Sequence, residues 1–152
     1  MKIAIKYGLL ITAGVIAWLV VVHSLVPNPA APVHGVGSAI FFNLLEITGI
    51  AFGIKAKQRQ MSGVLGFKDG IKTGVAIGLV YGMTTSLFFV IQLAIFGPVW
   101  LAAESRSPGQ PLWQVALGAF AGLLTFAVLL GLIYATIISF FVVRAQRGRR
   151  YD

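Results

Sequence analysis

One carboxylate, Glu46, stands near the middle of the apolar stretch from residue 36 to 56. An ionisable group at the centre of a bilayer is expensive to hold there, and by default it is a candidate functional site. Asn43 lies one helical turn earlier on the same side, and Ile50 and Gly53 continue that line. At matching depth the third apolar segment offers Thr84, Thr85 and Ser86 as hydrogen-bond partners. No lysine or arginine sits at that depth, so a buried Glu46 is least costly in its protonated form. Two chemistries follow. A protonated Glu46 donating to Thr84, Thr85 or Asn43 is a structural polar clasp, whereas a hydrated, titrating Glu46 binds a proton or cation.

Other reactive constellations are sparse. His23 and His34 flank the turn between the first two apolar segments, and Glu104 is the one obvious third ligand. A zinc site needs three or four protein ligands, so the reading is interfacial or solvated histidines and no metal. The chain has no cysteine, which excludes disulfides, thiolate metal sites and a cysteine nucleophile. Ser62-Gly63 and Gly66 are not followed by Gly-Lys-Ser/Thr, so they form a loop rather than a phosphate cradle. No nucleophile elbow, metalloprotease helix or pair of intramembrane aspartates is present. The expectation is a protein that is not an enzyme and carries no cofactor.

The elements that position these residues are transmembrane helices. Hydrophobic residues make up 58% of the 152 and charged residues 11%, less than half the globular norm of about 25%. A soluble domain of this composition would expose large apolar patches, whereas a bilayer requires them. Four segments are expected, at residues 7–26, 36–56, 71–96 and 112–143, each near or above the roughly 20 residues that span the hydrocarbon core. The first slightly exceeds a signal-peptide core and is read as a span, despite the small residues at Pro29-Ala30-Ala31. The fourth exceeds the bilayer thickness and must tilt or protrude. Residues 144–152 form a basic tail.

The net charge of +8 is gathered beside the apolar runs, which points to anionic lipid headgroups rather than nucleic acid. Lys2, Lys6, Lys55, Lys57, Arg59, Lys68, Lys72 and the tail residues Arg144, Arg147, Arg149 and Arg150 fall on one side of four spans, and Arg106 alone falls opposite. The positive-inside rule makes that side cytoplasmic, with both termini inside. The expected fold is an all-α polytopic bundle of four transmembrane helices. Trp100 and Trp113 bracket the outer loop as interface anchors.

Close approach of helices in lipid relies on small residues. Gly70, Gly74, Gly78, Gly82 and Ser86 give the third helix a stripe with a four-residue repeat; Gly49 and Gly53 on the second and Gly118 and Gly122 on the fourth share the spacing. The stripe is expected to be a contact surface, toward either this chain or another subunit. Ile5-Lys6-Tyr7-Gly8 and Ile71-Lys72-Thr73-Gly74 echo one another, a faint sign of a duplicated hairpin that the second and fourth helices do not extend.

Tyr7-Gly8-Leu9-Leu10 opens the first helix. Gly53-Ile54-Lys55 follows Glu46, then the Lys57/Arg59 run, then Gly66-Phe67-Lys68-Asp69-Gly70-Ile71-Lys72-Thr73-Gly74. Over residues 1–96 this resembles the bacterial family catalogued as domain of unknown function 4199; beyond them the fourth helix agrees only in being apolar with a basic end. The resemblance implies a small four-helix protein of the bacterial cytoplasmic membrane, with no assigned activity and no catalytic residues to transfer. It draws attention to Phe67, Lys72 and Gly74 as a helix-entry device, in which Phe67 dips into the interface and Lys72 snorkels to headgroups.

Two function classes follow. The first is a non-enzymatic scaffold or accessory subunit that associates, with itself or a membrane partner, through small-residue helix faces. The second is a small transporter or channel subunit that uses Glu46.

Overall fold

In the computed structural model, which describes residues 1–26, 28, 31–96 and 111–148, the chain forms four α-helices. They are α1 (Lys2–Leu25), α2 (Ser38–Gln60), α3 (Phe67–Phe96) and α4 (Leu112–Gly148), and a single π-helical turn, Val33–Gly37, leads into α2. Each of the four is long and apolar enough to cross a membrane.

The helices run past the expected bounds at their basic ends. α1 begins at Lys2 rather than residue 7, α2 continues to Gln60 rather than 56, α3 begins at Phe67 rather than 71, and α4 continues to Gly148 rather than 143. Lysine, arginine and glutamine are good helix formers, so the end of an apolar run need not end the helix. Other ends have local causes. α1 stops one residue before Val26, which precedes Pro27 and takes extended angles of φ −124° and ψ 86°, as a residue before proline prefers. α2 is closed by Ser62 and Gly63 at φ 54° and 87°, with Gly63 N–H donating 3.0 Å to the carbonyl of Gln58. Only glycine takes φ values such as that of Gly63 without steric cost.

Packing is organised on a diagonal. α2 and α3 each touch the other three helices, while α1 and α4 occupy opposite corners; the most extensive interface is α3 against α4. The core is a thread of aliphatic side chains, among them Ile11, Val15, Ile50, Ile54 and Ile77, all nearly or fully buried. Around it stands a broad exposed apolar surface, including Leu10, Val20, Ile40, Leu117 and Phe141, far larger than the apolar patches that a water-soluble monomer exposes.

The glycine stripe of α3 is used inside the chain. A methyl built on Gly74 meets Ala135, one on Gly70 meets Ser139, and one on Gly82 lies 2.9 Å from Cβ of Ala127. At Gly78 the approach is backbone to backbone: a methyl there would lie 3.1 Å from the carbonyl oxygen of Ala127 and 3.3 Å from Cα of Gly131. Gly49 and Gly53 are likewise covered, by Ile11 and Ile77. Gly118 and Gly122 differ: they lie on an exposed face of α4 with nothing within 4 Å of an added methyl. As a helix-packing pair within this chain that expectation fails, because the face of α4 that meets α3 is carried by Ala127, Gly131, Ala135 and Ser139 instead.

The basic ends converge. Lys2 of α1, Lys57 of α2 and Lys72 of α3 line one groove. Gln146 near the end of α4 accepts a 3.1 Å hydrogen bond at Oε1 from the Leu65 amide in the α2–α3 loop. The N-termini of α1 and α3 and the C-termini of α2 and α4 therefore share one end of the bundle.

Candidate functional site

Glu46 projects from α2 into the centre of the bundle and is 2% exposed. It reaches there because it continues the inward face that Ile50 and Gly53 occupy one and two turns later, both of them buried. Opposite it, α4 presents Gly131: a methyl on that residue would lie 3.6 Å from Glu46 Oε1. The missing side chain of Gly131 thus makes room for the carboxyl. Oε1 is fully enclosed and has no hydrogen-bond partner, a costly state for a polar atom and one that calls for a ligand, a proton or water.

A cavity of about 170 Å³ adjoins the carboxyl. Its polar lining comes from Asn43, Glu46, Tyr81 and Thr85, and its apolar walls include Phe42, Leu123 and Phe126. The lining is mostly apolar, with these four side chains as its polar points, and the volume is that of several water molecules.

The partners expected of Glu46 are arranged differently. Thr84 turns away toward α1, where its hydroxyl is 2.6 Å from that of Thr12; Thr12 also donates to the carbonyl of Gly8 at 3.1 Å. Asn43 uses its amide nitrogen on the carbonyl of Ala39 (2.7 Å) and its Oδ1 to accept from the hydroxyl of Tyr134 (2.6 Å). Ser86 is fully buried, with no partner for Oγ. Thr85 alone of the three hydroxyl residues shares the cavity with Glu46. The clasp between Glu46 and Thr84, Thr85 or Asn43 is therefore not formed. Matching two residues in depth does not fix the angle at which each leaves its helix.

Tyr81, Gly131 and Tyr134 complete the site and do not stand out in the sequence analysis. A signal existed: tyrosines ordinarily favour the interfacial belts, whereas Tyr81 and Tyr134 fall well inside their apolar segments.

The remaining expected positions lie elsewhere. His23 and His34 meet edge to face at 5.3 Å, and His34 Nε2 is 2.9 Å from the carbonyl of Val26. Among the described residues no group of three ligating side chains could hold a metal, and Glu104 lies outside them. Phe67, Lys72 and Trp113 are exposed near helix ends, while Trp100 lies outside the described residues.

No family model, no curated protein and no solved structure matches the chain. The resemblance over residues 1–96 rests on its sequence motifs alone.

Proposed function

We propose that this is a multi-pass protein of a bacterial cytoplasmic membrane, with both termini in the cytoplasm, whose central site binds a proton or small cation at Glu46 as part of a transport or channel unit. The observation that carries the reading is the enclosed, partnerless carboxylate oxygen beside a cavity that Asn43, Tyr81 and Thr85 also line. A purely structural acid would be expected to spend both oxygens on neighbours, since each unmet buried polar atom costs about 1–3 kcal/mol. The orientation is supported by the gathering of lysines at one end of the bundle and the positive-inside rule.

The test is cation and proton flux in vesicles reconstituted with the wild-type chain and with Glu46→Gln. Wild type is expected to dissipate an imposed pH or cation gradient above the rate of empty vesicles, and the variant to fall to that background while keeping its melting temperature. Equal flux in the two proteins would overturn the proposal.

A second reading has its own support. The exposed Gly118–Gly122 face of α4 meets nothing among the described residues, which suits an accessory subunit or self-association through α4. The α3 stripe does not serve that purpose, being covered by α4. Crosslinking from a cysteine introduced at Gly118, in native membranes, tests it; recovery of monomer alone would overturn it.

A further inference from the structure

Between α1 and α3, at the basic end of the bundle, a groove of about 890 Å³ runs inward from a cationic mouth. Lys2, Lys57 and Lys72 line it, with Asp69 as its one carboxylate and Gln60 and Thr73 as neutral polar groups. Among the described residues none of the three lysines is paired with a carboxylate. Deeper in, the lining turns apolar through Val75, Leu79 and Val80. Lys72 and Leu79 are two turns apart on α3, so the change from charge to hydrocarbon takes about 10 Å along the helix. A surplus of unpaired cations at one end and an aliphatic wall below it match one kind of molecule, an amphiphile with an anionic head.

We infer that this groove is a binding site for one anionic phospholipid, its phosphate held among Lys2, Lys57 and Lys72 and an acyl chain laid against Val75, Leu79 and Val80. Charge complementarity selects the head, since basic recesses between membrane helices hold anionic headgroups. The apolar wall distinguishes a lipid from a free phosphate, which would gain nothing below the lysines. The inference rests on the membrane reading above and is independent of any role for Glu46.

The experiment is native mass spectrometry of the full chain released from vesicles of phosphatidylcholine containing one-fifth phosphatidylglycerol. Wild type is expected to retain one phosphatidylglycerol in preference to phosphatidylcholine. Each lysine contributes about fivefold, so Lys2→Gln, Lys57→Gln and Lys72→Gln together reduce retention roughly a hundredfold. The control removes the same charge outside the groove, with Lys55→Gln, Arg59→Gln and Lys68→Gln, and is expected to retain the lipid. Equal loss in the control would overturn the site, because it would reduce the effect to a general surface potential. Displacement of the lipid by millimolar glycerol phosphate would also overturn it, by showing that the apolar wall contributes nothing. Failure of the chain to float with vesicles of either composition would sink the membrane reading itself, a result separable from insertion without headgroup preference.

Discussion

Tyr134 of α4 donates a 2.6 Å hydrogen bond to Oδ1 of Asn43 on α2, bridging helices whose residues stand 91 positions apart in sequence. This bond fixes the rim of the Glu46 site, since Asn43 lines the same cavity. Tyr134→Phe removes the donor and leaves the amide oxygen of Asn43 unmet. The expected loss is about 1 kcal/mol of stability in detergent, with most of it recovered in Tyr134→Phe, Asn43→Leu, because deleting both partners is less costly than deleting one. Denaturant or thermal unfolding of the two variants measures this.

Thr12 and Thr84 form the second polar tie, at 2.6 Å between α1 and α3. A double-mutant cycle with Thr12→Val and Thr84→Val is expected to give a coupling near 0.6 kcal/mol, the average for such pairs between membrane helices. Proton flux is expected to persist in both single variants, since neither residue lines the cavity.

Glu46→Leu separates stability from function. The substitution removes an enclosed oxygen that has no partner, so the melting temperature is expected to hold or rise, by up to about 1–3 kcal/mol in free energy. Flux is expected to be lost. A large fall in stability would instead assign Glu46 a structural role, and thermal melting read beside a vesicle assay decides between them.

The glycines divide into two kinds. Gly78→Ala sets a methyl 3.1 Å from the carbonyl oxygen of Ala127, part of a backbone that cannot turn aside, and is expected to cost about 1–3 kcal/mol as an overpacked contact. Gly122→Ala meets nothing, so the folded monomer is expected to be as stable as wild type or slightly more so. Melting of both variants in detergent checks the contrast.

Much of the architecture was legible because a bilayer imposes simple rules on sequence. Length and hydropathy gave four helices, and the α3 glycines, repeating every fourth residue, already described one face before any partner for it was known. The basic clusters predicted one common end, and Lys2, Lys57 and Lys72 do meet there. The site itself was only half legible. That Glu46 would be buried follows from its place in an apolar run, but its surroundings depend on how four helices rotate about their axes. Thr84 faces α1, Asn43 faces α4, and Gly131, unremarkable in sequence, supplies the space the carboxyl occupies. The Gly118–Gly122 pair shows a related limit: the spacing marks a smooth face without saying what lies against it, and no described residue of this chain does.

The seam at Gly78 and Gly131 also limits how the bundle can move. Backbones in direct contact there meet a steep repulsive wall, and Ala127, Ala135 and Ser139 of α4 fit closely against the glycines of α3 on either side of it. Those two helices form a stator. Under the transport function proposed above, the rearrangement that would reach Glu46 therefore falls to α2, which carries the acid, and to α1 behind it.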